Sequence, residues 1–143
     1  MKPQLILIAG PYRGGTDGDA ARIAENLRRL ERAALAVYER GHMPMVREWV
    51  SLPLARAAGS ERIGDDISEH FHYPAARRLI ERCDAVLRIP GESKGADGDV
   101  ELAGKLGLPV YHRLDELPDV TSASVTSAPP DANIGVPPQS HSY

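Results

Sequence analysis

Residues 84–111 read DAVLRIPGESKGADGDVELAGKLGLPVY, and the order of patterns inside this stretch decides the fold class. Ala85, Val86, Leu87 and Ile89 form a short apolar run that stops at Pro90-Gly91. A run of that length, closed by turn residues, suits a strand buried on both faces of a sheet. A polar, glycine-containing loop follows. A helical pattern is expected to open around Asp99 to Glu101, with Leu102, Leu106 and Leu108 inward and Gly107 as its C-cap. Pro109-Val110-Tyr111-His112 then makes another short strand. Two strands joined through a helix are a βαβ unit, and its strands run parallel. In open sheets of this kind ligands sit beyond the carboxyl ends of the strands, where loop amides and helix N-termini converge. Glu101 is expected in the first turn of the helix, at the mouth of such a crevice. Asp97, Asp99 and Glu101 also suit the positive end of a helix dipole as plain capping carboxylates.

Upstream, residues 51–73 are the least regular part of the chain. Gly59, Gly64, Asp65-Asp66, His70, His72 and Tyr73 make a polar segment of the kind that forms binding lids, with a modest helix over 63–71 as the alternative. Pro74 is expected to open a helix whose inward residues are Ala75, Leu79, Ile80 and Cys83. Before the segment, His42 to Val46 makes a short strand interrupted by Pro44, and Arg47-Glu48-Trp49 follows at its crevice end. Trp49 suits stacking on a planar base, and equally a partly buried interface. From Asp19 to Arg40, Ile23, Leu27, Leu30, Ala34 and Val37 recur at steps of four and three, marking one face of a long helix that Gly41 ends. The first strand is Leu5 to Ala9. It runs into Gly10-Pro11-Tyr12-Arg13-Gly14-Gly15, where backbone amides approach a ligand and Arg13 offers a fork suited to phosphate. The turn is neither a P-loop nor a GxGxxG fingerprint.

The 143 residues suffice for one domain, expected over 1–118, with a Ser/Thr/Ala/Pro-rich tail over 119–143 expected to stay mobile. A net charge of −3 gives no electrostatic reason to bind nucleic acid polymers or an anionic membrane. Neither a membrane span nor a signal peptide is apparent, so the cytoplasm is the expected compartment. Cys83, the single cysteine, is expected in the core, and the five histidines show no zinc-like spacing beyond His70-Phe71-His72.

Three stretches taken together resemble the nucleoside 2-deoxyribosyltransferase-like family, including its 2'-deoxynucleoside 5'-monophosphate N-hydrolases. They are AGPYRGG at residues 9–15, CDAVLRIPG at 83–91, and SKGADGDVELAGKLGLPVY at 93–111. The likeness covers roughly residues 4 to 112 and is strongest in the last. It implies a three-layer α/β sandwich of flavodoxin or Rossmann type, with a four- or five-stranded parallel sheet. It also implies an enzyme that cleaves or transfers at the N-glycosidic bond of a (deoxy)nucleoside or its 5'-monophosphate, through a glutamate nucleophile and a covalent glycosyl-enzyme. The logic is that of retaining glycosidases: a carboxylate beneath the anomeric carbon and a donor for the leaving base.

On this resemblance the nucleophile falls on Glu101, with Asp97 and Asp99 as rivals, and Tyr12 orients the sugar or the carboxylate. Gly10 and Pro11 belong to the same substrate-binding turn. Arg13, Gly14 and Gly15, with Ser93 or Gly95, take a 5'-phosphate. Trp49 and Asp97 complete the expected substrate contacts. The family's usual aspartate, eight residues before the aspartate that opens the third strand, is Ala76 here. Either Asp65 or Asp66 substitutes, or the base is handled differently, or the protein binds without turnover. No metal or organic cofactor is implied, and a homo-oligomer acting on a small nucleoside or nucleotide is expected.

Overall fold

In the computed structural model the described residues are 2–120. The expected tail lies, from 121 on, outside them; packed structure continues to Val120, whose N–H donates to Arg40 O at 2.9 Å. Four parallel strands form one sheet in the order β2 (Met43–Val46), β1 (Leu5–Ala9), β3 (Ala85–Arg88) and β4 (Val110–Tyr111). The α/β sandwich read from the sequence is present, with four strands. Alternation along β1 builds its layers. Ile6 and Ile8 face one side with Val46, Ala85 and Leu87, and pack against Leu30, Ala34 and Val37 of α1 (Ala20–Glu39). Leu7 and Ala9 face the other, with Val86, against Ile80 of α3 (Asp66–Ile80) and Ala96 and Ala103 of α4 (Lys94–Lys105). Residues of period two on one strand thus serve both cores. Burying each large aliphatic here contributes about 1.5–3 kcal/mol.

The outer helices depart from expectation in three places. Residues 51–57, read as irregular, lie in α2 (Glu48–Ala57), and α3, which takes in most of the helix offered as the alternative over 63–71, begins eight residues before Pro74 and passes through it. Both helices carry an internal proline, Pro53 and Pro74, which removes a hydrogen bond and hides a helix from a sequence reading. Ser68 before Pro74 and Ala76 and Ile80 after it are all buried, so packing holds both halves of α3. The third departure matters most for the site. Ser93 caps α4, its Oγ accepting from Ala96 N–H at 3.0 Å, so the helix opens at Lys94 and takes in Gly95 and Gly98. Glu101 therefore lies two turns into α4, and its buried face is Ala96, Asp99 and Ala103. Leu106, expected inward, is exposed.

The strand order places the topological switch between β1 and β3, whose neighbours were laid down in opposite directions. Gly10 leaves β1 there because nothing larger fits: a Cβ on it would stand 2.3 Å from Ile89 Cγ1 and 3.2 Å from Leu30 Cδ2. Gly10→Ala is expected to cost about 1–3 kcal/mol by overpacking, read as a lowered midpoint in thermal or urea unfolding.

Candidate functional site

The loops that leave β1 and β3 meet. A Cβ on Gly14 would lie 2.4 Å from Glu92 O, and one on Gly91, at φ +126°, would lie 2.5 Å from Pro11 Cγ. Two turns some eighty residues apart thus touch backbone to backbone, as glycine alone permits. Asn26 of α1 holds the first turn by donating from Nδ2 to Tyr12 O at 2.9 Å, and Thr16 Oγ1 donates to Arg13 O at 2.5 Å. Over the junction lies a cleft of about 340 Å³. Its wall joins the first turn (Gly10 and Tyr12 to Gly15), Glu92 and the start of α4 (Ser93, Lys94, Gly95), Arg47 from the end of β2, and Glu69, His72 and Tyr73 from α3. Arg13 reaches across to an ion pair with Glu69, its guanidinium lying on Gly64, where a Cβ would come within 2.5 Å of it.

Behind this wall is a buried polar cluster. The Arg47 guanidinium pairs with Asp99, and both residues are nearly fully buried. Arg47 Nη1 donates to His72 Nε2 at 3.2 Å, Arg47 Nε is buried without a partner, and Glu48, also buried, lies 4.0 Å from His72 Nε2. A Cβ on Gly95 would sit 3.2 Å from Arg47 Nη1, which explains a glycine in the first turn of a helix. Burial pushes the Asp99 carboxyl up from its ordinary value, although Arg47 opposes the shift. Glu48 is raised by the same burial, again against Arg47, with Asp99 adding repulsion. Burial and the Glu48 carboxylate raise the Tyr12 hydroxyl, keeping it a donor. His72 is pulled down to about 4, first by burial and then by Arg47 and Arg13. Buried carboxylates with displaced titration beside a cleft are the usual mark of a functional site. The cleft therefore presents cations, helix-start amides and hydroxyls for an oxyanion, together with the carboxylates of Glu69, paired with Arg13, and Glu92, and has Asp99 and Glu48 behind it.

Several expected site residues stand elsewhere. Glu101 does not line the cleft: its side chain is 72% exposed and lies 3.5 Å from Lys105, one turn on. The early start of α4 rotates it outward and brings Asp99 inward. Asp97 is equally exposed and accepts from Arg88 Nη2 at 2.9 Å. Trp49 is on α2, away from the cleft, with Nε1 donating to Glu31 at 2.8 Å beside Leu35 and Tyr38. Pro11 is buried next to the cleft without lining it. Asp66 is exposed in the first turn of α3. Asp65 caps that helix, accepting from the N–H groups of Ser68, Glu61 and Arg62 and from Ser60 Oγ, bonds that hold its carboxyl well below the usual range. Neither aspartate lines the cleft, and Ala76 is buried. The buried Cys83, as expected, faces a core.

Asp65→Ala should lower the unfolding midpoint at neutral pH. A carboxylate depressed in the folded state stabilises it above the ordinary value of 3.8, and loses that effect as pH falls below it. The gap between variant and parent should close in unfolding scans taken progressively below about pH 4.

Sequence reasoning passed over Arg47, Glu48, His72, Glu69 and Lys94 as site residues. A signal existed for the first two, which directly follow the carboxyl end of β2. No protein-family model matches the chain, and no curated protein matches it. Among the described residues no helix is long and apolar enough to cross a membrane.

Proposed function

We propose that the cleft binds a nucleoside 5'-monophosphate and cleaves or transfers at its N-glycosidic bond, with Asp99 as the carboxylate that attacks the anomeric carbon. The observation that carries this reading is the placement of a buried carboxylate, held by Arg47, directly behind a wall of phosphate-type donors. Arg13, Gly14 and Gly15 together with Ser93, Lys94 and Gly95 take the phosphate, at loop amides and the N-terminus of a twelve-residue helix. Tyr12 donates to the sugar. Asp99 is not on the cleft surface, whereas Arg47 is, so attack requires Arg47 to exchange Asp99 for the incoming ligand. That exchange couples substrate binding to release of the nucleophile. A homo-oligomer, which follows from the family resemblance, and a cytoplasmic location belong to the same proposal.

Incubation with a panel of nucleosides and their 5'-monophosphates, followed by chromatography for free base and mass spectrometry of the protein, tests it. Free base together with a glycosyl adduct on Asp99 is the expected result. A second reading, a nucleotide-binding module without turnover, is favoured by the fact that Arg47 occupies Asp99 while Glu101 faces solvent. It predicts binding of a monophosphate with no base released.

A further inference from the structure

We propose that His72 is the hydrogen-bond donor to the departing base, through Nδ1–H, with its tautomer set by Arg47. This rests on the glycosidic reading above and adds the group that handles the leaving atom. A guanidinium only donates, so the 3.2 Å contact from Arg47 Nη1 makes His72 Nε2 the acceptor. A neutral imidazole that accepts at Nε2 carries its proton on Nδ1. That N–H has no partner among the described residues, and the ring lines the cleft, its side chain 21% exposed.

The chemistry of the wall around His72 fits a base. Arg13, Gly14, Gly15, Ser93, Lys94 and Gly95 make the wall suited to phosphate, while His72 and Tyr73 contribute aromatic rings, edge to face with centroids 6.0 Å apart. A planar heterocycle packs against such rings and offers carbonyl or ring-nitrogen acceptors to the free N–H. The groups around His72 are Arg47 and Arg13, both cationic, and Glu48 at 4.0 Å. The two arginines oppose a second proton on the ring. His72 therefore acts as a neutral donor over the whole neutral range, and a neutral imidazole does not surrender its remaining proton.

The step balances accordingly. An Asp99 oxygen forms a bond to C1' as the C1'–N bond breaks, and the bonding pair leaves with the base. The developing anion is held by Nδ1–H and takes its proton from water. Water then attacks C1' of the glycosyl-aspartate, restoring the carboxylate. The sum is nucleotide plus water giving base and sugar phosphate.

A leaving base that is hydrogen-bonded rather than protonated makes the rate sensitive to its acidity. The experiment uses the full chain, whichever common nucleoside 5'-monophosphate it cleaves, and the ring-halogenated analogue of that nucleotide, whose base is the better leaving group. His72→Leu is expected to slow release from the parent nucleotide on the order of 100-fold, the usual effect of removing one such donor. It should slow release from the halogenated analogue much less, and His72→Gln, which keeps an N–H donor, should recover most of the rate. Equal losses on both nucleotides, or no loss, overturn the proposal and leave the glycosidic reading standing. Failure of the parent protein to release base from any nucleotide overturns both. Nitrogen-15 NMR of the unliganded protein at pH 7 supplies a check independent of turnover and of variant folding. The Nδ1-protonated tautomer is expected for His72, and an Nε2-protonated ring overturns the assignment.

Discussion

Asp99→Asn is expected to reduce base release on the order of 10⁴-fold, the scale on which removing a nucleophile or its partner acts in a concerted site, while Glu101→Gln leaves it within about two-fold. The contrast follows from helix phase. Ala96, Asp99 and Ala103 make the buried face of α4, and Glu101 is rotated away from them to pair with Lys105 in solvent. Two residues apart on a helix do not share a face. Asparagine keeps the size of Asp99 and a hydrogen-bond acceptor for Arg47 but cannot form the glycosyl ester. Ionisation of Asp99 also sets the acid side of the rate profile. Because burial lifts this carboxyl above 3.8 despite Arg47, kcat/KM should fall as pH drops through a value above that of an ordinary aspartate. Steady-state rates across pH, with free base measured by chromatography, check both statements. A large loss in Glu101→Gln with none in Asp99→Asn would return the nucleophile to the solvent side of α4 and sink the mechanism.

The strands and α1 were legible because their signals are local. Leu5 to Ala9 and Ala85 to Ile89 are apolar runs closed by Gly or Pro, and α1 carries five inward residues at helical spacing between an Asp cap and a Gly stop. The two glycine turns that build the cleft were legible for the same reason. Helix α4 was misphased by about five residues because Gly95 and Gly98 read as loop, where glycine costs about 1 kcal/mol against alanine in a helix. The Ser93 cap outweighs that reading, and Gly95 leaves Arg47 Nη1 room that a Cβ would crowd. This is a tertiary reason that no window of sequence contains. Helices α2 and α3 were obscured by Pro53 and Pro74, and with them went the partners of the buried cluster. Arg47, His72 and Asp99 come from three elements spread over fifty residues, and what unites them is only that α3 and α4 pack together and meet the residue that follows β2.

Arg47→Met is expected to destabilise the fold by about 3–5 kcal/mol at pH 8, the usual cost of removing one member of a buried ion pair. The loss comes less from the attraction removed than from the Asp99 carboxylate left buried with only the weaker pull of Arg88 to offset its charge. Its pH dependence follows from that origin. Burial already favours the protonated acid, and without Arg47 the folded-state value rises further, while the unfolded chain keeps the ordinary 3.8. Lowering pH from 8 to 5 lets the folded protein take up a proton that the unfolded chain does not, so the deficit of Arg47→Met should shrink on acidification. The parent, whose pair is intact, should show the smaller change. Arg47→Met combined with Asp99→Leu removes both charges of the pair and should recover part of the stability, because an apolar pair of similar size needs no compensation, while the buried Glu48 still lacks Arg47. Urea unfolding of the three proteins at pH 5 and pH 8 measures all of this. If the double variant is no more stable than Arg47→Met alone, the cost lies in lost packing of the arginine stem, and Arg47 is structural rather than a mobile partner that a ligand can draw off Asp99.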